Sequence, residues 1–190
     1  MRIVFAAALS FLLLAGNVAS QERPPMPFED PGACPFEGCV YREWTAKRPT
    51  TARLRRSASS PIAFRLKAGE RVQAITGVVV ITKPGIVRFT KPWTAGPVHA
   101  EPGEMMYLLT YEGEGFITAW FKGAIVRGVD QTNFIGCGPV PGVPSPAPRE
   151  CVADVTQYPV QVWWAQLRNS RGQLGWTSRG RQDFSNISVY

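Results

Sequence analysis

The sequence predicts an all-β protein rich in loops, and three observations support this fold class. Residues 52–81 alternate apolar and polar side chains in short runs, of which Ile62, Phe64 and Leu66 form one. A period of two is typical of half-buried strands. No helical period occurs in that stretch, and the 17 prolines and 18 glycines of the chain suit a structure with many turns. A hydrophobic content of 45% is sufficient to build a core.

The first 20 residues have the composition of a secretory signal peptide. Arg2 is followed by a short apolar core, Ile3 to Ala15, and then by the small residues of Val18-Ala19-Ser20. The apolar core is shorter than the roughly 20 residues that cross a bilayer. We therefore expect a soluble chain that begins at Gln21, is periplasmic or secreted, and has no integral membrane segment after cleavage.

Residues 21–40 predict an extended, proline-rich leader that carries a small cysteine loop. Four cysteines in an exported chain indicate disulfides, and four cysteines allow three connectivities. We expect Cys34–Cys39 and Cys137–Cys151, because each pair encloses a turn-rich segment. Metal binding is disfavoured, since His99 is the only histidine and the cysteine spacings match no zinc signature. We expect no cofactor.

Two stretches resemble the bacterial SH3-like (SH3b) domain. The first is LRRSASSP, followed by a turn with LKAGE and an apolar strand, within residues 54–81. The second is WWAQLRNSRGQLGWTS, residues 163–178. The resemblance implies two small SH3-like β-barrels in tandem, over residues 41–92 and 93–190. It says little about activity, because small barrels carry many functions.

We interpret the second unit as a divergent repeat of the first. Gly103-Glu104 precedes an apolar run much as Gly69-Glu70 does. The first unit is expected to end in a hairpin that turns at Lys83-Pro84-Gly85. The second is expected to contain a long proline-rich loop, 136–151, and loops of that length often have a function or need a clamp. The expected Cys137–Cys151 disulfide is that clamp.

A basic run in the first unit is the main candidate for ligand binding. It contains Arg53, Arg55 and Arg56 with no acid among them, and Arg65 and Lys67 follow. Arginine forms bidentate contacts with carboxylates and phosphates, which suits these side chains to the rim of an anion site. On SH3-like barrels this region resembles the loop and strand beside the ligand groove. The alternative interpretation is an ordinary solvated strand face.

Two adjacent tryptophans and one arginine complete the candidate site. Consecutive strand residues face opposite ways, so Trp163 and Trp164 cannot both point inward on a regular strand. Trp164 lies in phase with Val160 and Val162. Either a bulge at this pair turns both rings inward or one ring stands on the outer face, and we expect Trp164 in the core and Trp163 on the surface. An exposed Trp163 beside Arg168 would suit stacking on a sugar or a peptide.

The sequence lacks the residue patterns of several common enzyme classes. It has no G-x-S-x-G, no glycine-rich phosphate loop and no H-E-x-x-H. We expect a non-enzymatic binding module of the cell envelope, whose partner is a cell-wall polymer such as peptidoglycan, its peptides, or an envelope protein. The alternative is an interaction or inhibitor protein that uses the disulfide-closed loop. Nucleic acid is disfavoured despite a net charge of +7, because the signal peptide directs the chain away from it.

Overall fold

The computed structural model describes residues 23–137 and 150–189, and within them the protein is almost entirely β-structure. The strands are, in chain order, β1 (Phe28–Pro31), β2 (Glu43–Ala46), β3 (Thr50–Arg53), β4 (Ile62–Leu66), β5 (Arg71–Lys83), β6 (Gly85–Phe89), β7 (Trp93–Ala95), β8 (Val98–Ala100), β9 (Met105–Gly113), β10 (Phe116–Phe121), β11 (Ala124–Asp130), β12 (Ala153–Gln157), β13 (Val160–Arg168), β14 (Leu174–Thr177) and β15 (Phe184–Ser185). A short helix, α1 (Gly180–Asp183), and a 3₁₀ turn (Gln131–Asn133) complete the regular structure of these residues. The predicted all-β fold class is confirmed.

Eight strands form the larger sheet, and all its pairs are antiparallel. The order is β15-β2-β5-β13-β14-β3-β4, and β1 pairs with the second half of β5. The 13-residue strand β5 organises this sheet. It pairs with β13 along one edge and with β2 and then β1 along the other, so both its edges are hydrogen-bonded.

Five strands form the smaller sheet, in the order β11-β10-β9-β6-β12, which is also antiparallel. A separate ribbon of β7 and β8 contributes Trp93 and Ala100 to the core of this sheet. Strand β9 is an apolar run rather than an alternation because both of its faces are covered. Met106 and Leu108 belong to the core of the smaller sheet, whereas Leu109 belongs to the core of the larger one.

The smaller sheet is inserted between β5 and β13 of the larger sheet. Strands β6 and β9 to β12 form the smaller sheet, and β13, β14 and β15 then return to the larger one. The two units are therefore nested rather than consecutive, and residues 160–185 share a sheet with residues 28–83. This arrangement differs from the division into 41–92 and 93–190 that the repeat pattern suggested.

The expected hairpin at Lys83-Pro84-Gly85 does not form, because β5 and β6 lie in different sheets. Gly85 is not among the glycines with positive φ, which the expected turn required. It is needed for space instead, since a Cβ atom there would lie 2.8 Å from Pro159 Cδ and 2.9 Å from Leu108 Cβ. The chain leaves the larger sheet at this point, and the segment that returns to it packs closely alongside.

The two Gly-Glu turns that suggested a repeat have the same local structure. In Gly69-Glu70 and Gly103-Glu104 the glycine has positive φ, 83° and 93°. Each glutamate carboxylate accepts a hydrogen bond from the backbone N–H three residues earlier, from Lys67 at 2.9 Å and from Glu101 at 2.8 Å. The turns lead into the long strands β5 and β9. The two segments therefore share the structure of this turn.

Each sheet has its own hydrophobic core. Fully buried side chains are Trp44, Ile81, Leu167 and Phe184 in the larger sheet and Val87, Phe89, Met106 and Val129 in the smaller. The two cores meet where Leu109 and Trp120 of the smaller sheet pack against the core of the larger one. This contact packs the inserted smaller sheet against the larger sheet.

Both expected disulfides are confirmed. The Cα atoms are 5.8 Å apart in Cys34–Cys39 and 5.2 Å apart in Cys137–Cys151, and none of the four cysteines is free. The first bridge packs against the core of the larger sheet. The second closes the proline-rich loop, of which residues 138–149 lie outside the described part of the chain, as do the predicted signal peptide and the expected mature start at Gln21. Among the described residues, none of the helical structure has the length and apolar character of a membrane span.

Candidate functional site

The outer face of the larger sheet, which points away from its core, carries a cross-strand row of polar and aromatic residues. The register places Gln166 opposite Trp176, and Trp176 opposite Arg53. Residues directly opposite each other in antiparallel strands lie on the same face of the sheet. Trp176 is therefore flanked by an amide on one side and a guanidinium group on the other, and it is half-buried.

Gly175 explains why Trp176 faces outward. This glycine is buried on the inner face, where a Cβ atom would lie 2.7 Å from Ala52 Cβ and 3.0 Å from Phe64 Cε1. A residue without a side chain is the one that fits this close approach of β14 to β3 and β4. Because side chains alternate along a strand, the next residue must project from the opposite face.

Trp164 lies on the same outer face, where it is opposite Val78 in the β13–β5 register and is 9% exposed. Together with Trp176 and Val80 it supplies the residues that β5, β13 and β14 contribute to an open cleft of about 550 Å³, which we call the outer-face cleft. The remaining lining residues come from β1 and from the loop after β3, and they are Glu29, Leu54, Arg55, Arg56 and Ser57. The cleft thus combines two indole rings with two arginines.

Ser60 holds the loop that presents these arginines. It is buried, and its hydroxyl oxygen accepts a hydrogen bond from the Arg55 backbone N–H at 3.0 Å. Its carbonyl oxygen accepts from the Arg53 guanidinium at 2.6 Å. The Leu54 backbone N–H donates to the Pro61 carbonyl at 2.9 Å and closes the loop. The serine-rich stretch is therefore a fixed support, and Arg53 braces it.

The other two arginines differ in their availability to a ligand. The Arg56 guanidinium lies 5.7 Å from the centroid of the Trp176 ring and donates a hydrogen bond to the Glu29 carboxylate at 2.9 Å. Arg55 is exposed, and within residues 23–137 and 150–189 no side-chain hydrogen bond or ion pair holds its guanidinium. Arg55 is thus free to contact a ligand, whereas Arg56 becomes free when Glu29 releases it.

Comparison with known proteins identifies no relative of this chain. No protein-family model matches it, and no curated protein or solved structure does. The resemblance to SH3b domains accordingly stays a prediction, and the chemistry of the outer-face cleft rests on its own residues.

The expectation that Trp163 is exposed is wrong. Trp163 is 7% exposed on the inner face, and its ring centroid lies 5.7 Å from that of Trp44 and 5.6 Å from that of Phe36. Its indole N–H donates to the Tyr41 hydroxyl at 3.0 Å, and that hydroxyl donates to the Ala33 carbonyl at 2.7 Å. Burial raises the pKa of Tyr41, so the hydroxyl stays protonated in this chain of hydrogen bonds.

The burial along β13 explains why the alternation from Val160 was misleading, since the face that Val160 and Val162 share with Trp164 is the outer one. The pairing with β5 shifts between Val160 and Gln161, and no shift occurs at the tryptophans. Ala165 and Leu167 are completely buried and set the phase of the inner face, which Trp163 follows. The first residues of the strand lie past the core, so Val160 is 52% exposed.

Arg168 lies apart from the outer-face cleft. It is exposed on β13, opposite Leu174 and Gln73, and it does not line the cleft. Sequence reasoning missed Glu29, which reaches the cleft because β1 pairs with β5 far along the chain. It also missed Trp176 as a surface residue, although the glycine directly before it was a usable signal.

The histidine lies in an exposed hydrogen-bond network, apart from the outer-face cleft. The His99 ring forms hydrogen bonds with the Thr94 hydroxyl at 2.9 Å and with the Glu101 carboxylate at 2.7 Å, on an exposed ribbon. No group of three or more potential metal ligands occurs in the described part of the chain. We take the outer-face cleft as the candidate site because it combines arginine and tryptophan side chains.

Proposed function

We propose that the protein is a non-catalytic binding module of the cell envelope, which binds an anionic cell-wall component in the outer-face cleft. Peptidoglycan and its stem peptides are the ligands that we favour. The observation that carries this proposal is the presence of Arg55 and Arg56 beside Trp164 and Trp176 in one open cleft.

The lining of the cleft offers two kinds of contact to such a ligand. The half-buried Trp176 ring presents apolar surface against which a sugar ring or an aliphatic segment packs, and the mostly buried Trp164 adds a small apolar area. The guanidinium groups form paired, charge-assisted hydrogen bonds with carboxylates. A glycan that carries carboxylated peptides contains both chemical groups on one polymer, so it matches both parts of the lining.

An exported location supports the same proposal. Residues 1–20 have the composition of a signal peptide. The two disulfides are typical of proteins from oxidising compartments. A periplasmic or secreted protein encounters cell-wall polymers and envelope proteins rather than nucleic acid. The alternative function, an interaction or inhibitor protein, depends on residues 138–149, which lie outside the described part of the chain.

An SH3-like character of the larger-sheet unit is part of this proposal. The turn that contains LKAGE connects β4 to β5. The tryptophan of the Gly175-Trp176 pair lines the outer-face cleft. In this interpretation the smaller sheet is an insertion into an SH3-like unit.

Co-sedimentation with purified peptidoglycan tests the proposal. The wild-type protein should bind the polymer, and the variant Arg55→Gln/Arg56→Gln should bind at least about ten-fold more weakly, which corresponds to the loss of one or more charge-assisted hydrogen bonds. Binding should also weaken as salt is added, because exposed charges are screened over about 8 Å at physiological ionic strength.

The matched control is Lys83→Gln/Arg168→Gln, which removes the same charge from exposed positions outside the cleft. This control should bind as the wild-type protein does. If the two double variants lose affinity equally, binding is a general charge effect and the proposed site is wrong. If the wild-type protein ignores the polymer, the inhibitor alternative is favoured instead.

A further inference from the structure

The fold separates basic residues that are neighbours in the sequence. Arg65 and Lys67 follow the arginines of the outer-face cleft but do not line it. They line a different groove, beside the turn that contains Arg171. This groove consists of two adjoining clefts of about 350 and 640 Å³. The residues shared by both clefts are Arg65, Leu66, Glu70 and Arg171. We call it the turn groove.

The first turn beside the groove, Lys67–Glu70, is held in place by hydrogen bonds. The Glu70 carboxylate accepts from the Lys67 backbone N–H at 2.9 Å, and the Glu70 N–H donates to the Lys67 carbonyl at 3.2 Å. The Gly69 N–H donates to the Ala46 carbonyl at 2.8 Å, which fixes the turn to the strand β2. The backbone that carries Lys67 is therefore fixed before any ligand arrives.

The second turn, Asn169–Gly172, is organised by a buried amide. Asn169 is 9% exposed, and its side-chain oxygen accepts from the Arg171 N–H at 3.1 Å and from the Gln173 N–H at 2.9 Å. Its side-chain nitrogen donates to the Gln173 side-chain oxygen at 2.8 Å. Gly172 follows at a φ of 77°, which few other residues adopt. This turn holds the Arg171 backbone at the groove.

The lining of the turn groove is strongly basic. It contains four cations and one carboxylate, and they are Arg65, Lys67, Arg71, Arg171 and Glu70. Arg71 pairs with Glu43 at 3.2 Å. Within the described ranges, no ion pair holds the side chain of Arg65, Lys67 or Arg171, and all three residues are exposed. The Glu70 carboxylate is occupied by the backbone of its own turn. Like charges held together in this way favour an anion between them.

We propose that the turn groove is a second anion site, which binds a phosphate group. The Arg65 guanidinium and the Lys67 ammonium come from β4 and the turn that follows it, and the Arg171 guanidinium comes from the turn Asn169–Gly172, so the three cations approach an anion from two sides. That arrangement suits a tetrahedral phosphate better than a planar carboxylate with two oxygens. Thr51 and Ser170 add hydroxyl groups to the lining. The lining has no aromatic side chain, unlike that of the outer-face cleft.

Both turns are already held by hydrogen bonds, so binding would order little additional backbone. The entropy cost of binding is therefore small, which favours affinity. The site does not depend on the function proposed for the outer-face cleft. It uses none of the residues that line that cleft. A protein with both sites would contact a carboxylated polymer in one cleft and a phosphate in another.

Titration of the ¹⁵N-labelled protein with inorganic phosphate, and then with pyrophosphate, at constant ionic strength tests the proposal. Saturable shifts should occur at the backbone amides of Lys67–Glu70 and Asn169–Gly172. Arg65→Gln/Arg171→Gln should weaken phosphate binding ten-fold or more. Both side chains are exposed, so the melting temperature of this variant should match that of the wild-type protein.

The matched control is Arg55→Gln/Arg56→Gln, which removes the same charge from the outer-face cleft and should leave the phosphate affinity unchanged. Equal losses in the two double variants would overturn the proposal, because they would mean a general attraction by net charge. Shifts that fail to saturate at the two turns would also overturn it. Peptidoglycan binding by Arg65→Gln/Arg171→Gln should equal that of the wild-type protein, so either site can fail without the other.

Vesicles identify the source of the phosphate. Retention on phosphatidylglycerol-containing vesicles, with none on pure phosphatidylcholine and none for Arg65→Gln/Arg171→Gln, would assign the groove to lipid head groups. Binding of inorganic phosphate or pyrophosphate without vesicle retention would assign it to a soluble phosphate ester. Both results support a phosphate site, and the absence of binding to all of these probes rejects it.

Discussion

Trp163 and Trp164 are adjacent in the sequence, yet their side chains lie on opposite faces of the same strand. Trp163 packs against Trp44 and Phe36 in the core of the larger sheet, whereas Trp164 lines the outer-face cleft. The register between β13 and β5 runs through both residues without a shift. One indole ring therefore contributes to the core and the other to the candidate site.

The two tryptophans should respond differently to truncation. Trp163→Ala should lower the free energy of unfolding by about 3–5 kcal/mol, because it leaves a cavity in the core. It also removes the N–H donor of the Tyr41 hydroxyl. Trp164→Ala should cost somewhat less, about 2–3 kcal/mol, since its ring is also buried but borders an open cleft, and it should weaken binding to peptidoglycan. Urea denaturation and co-sedimentation of each variant measure the two effects.

Trp163→Phe is the control for the core position, because it keeps an aromatic ring and loses the indole N–H. Its loss of stability should be smaller than that of Trp163→Ala. A Trp164→Ala variant that is less stable than Trp163→Ala would contradict the assignment of the faces. So would a Trp163→Ala variant that keeps its stability and loses binding.

Removal of the Glu29 carboxylate should strengthen the binding of a carboxylated ligand. Glu29 accepts a hydrogen bond from Arg56 at 2.9 Å and so occupies the group that a ligand carboxylate would contact. Glu29→Gln should raise the affinity up to about five-fold, since an exposed ion pair is worth at most about 1 kcal/mol. Isothermal titration with soluble peptidoglycan fragments measures the change.

Glu43→Gln is the matched control for Glu29→Gln. It removes the carboxylate of an exposed pair with Arg71, at 3.2 Å and outside the outer-face cleft. It should leave binding of peptidoglycan fragments unchanged. Weaker binding by Glu29→Gln would show that Glu29 helps to hold the ligand instead of competing with it.

Local features of the fold could be predicted from the sequence. The alternation in Ile62, Phe64 and Leu66 corresponds to β4, in which Phe64 and Leu66 are buried. The cysteine pairs, close in sequence, form the expected disulfides. The Gly69-Glu70 and Gly103-Glu104 turns share one structure, because a positive φ and a carboxylate that bonds its own turn are encoded within a few residues.

The long-range features could not be predicted in this way. Alternation indicates which residues share a face, but it does not specify which strand pairs with which. The insertion of the smaller sheet therefore has no local signal, and neither does the placement of Glu29 beside Arg56. The orientation of Trp163 depends on which half of β13 meets the core, and this is decided by its pairing with β5. The candidate site depends on each of these long-range pairings. Of its lining residues, the sequence therefore predicted only the two arginines, Arg55 and Arg56.

The disulfide of the proline-rich loop should contribute measurably to stability. Cys137 and Cys151 are 14 residues apart, and the chain-entropy model gives about 3 kcal/mol for a loop of about 15 residues. Cys137→Ser/Cys151→Ser should lower the free energy of unfolding by that amount. The wild-type protein should contain no free thiol, and its intact mass should be that of a chain that begins at Gln21 with both bridges formed. A thiol that titrates without reductant would contradict this prediction.

A buried carboxylate at the end of α1 should be important for stability. Asp183 has a side chain that is 2% exposed, and it accepts hydrogen bonds from Arg179 at 2.7 and 3.2 Å and from the Thr50 hydroxyl at 2.7 Å. Arg48 adds an ion pair at 3.2 Å. Asp183→Asn should cost about 1–3 kcal/mol, since it weakens several charge-assisted bonds to a buried group. Glu43→Gln, which breaks an exposed pair, should cost under about 1 kcal/mol in the same denaturation assay.

The contribution of Asp183 should also depend on pH in a definite direction. Burial opposes ionisation of this carboxyl, but hydrogen bonds from Arg179 and Thr50 and the charges of Arg179 and Arg48 outweigh it, so the pKa of Asp183 lies below its ordinary value of 3.8. The folded protein therefore binds this proton less readily than the unfolded chain does. The stabilisation is complete above the unfolded pKa and is lost as the pH falls through the folded pKa.

The stability difference between the wild-type protein and Asp183→Asn should thus be constant between about pH 7 and pH 5 and should shrink below about pH 4. Urea denaturation of both proteins at a series of pH values measures it. A difference that instead grows on acidification would mean that Asp183 is protonated in the folded state at neutral pH. In that case the effect of burial on the pKa of Asp183 would exceed that of the arginines, and the protonated carboxyl would donate a hydrogen bond.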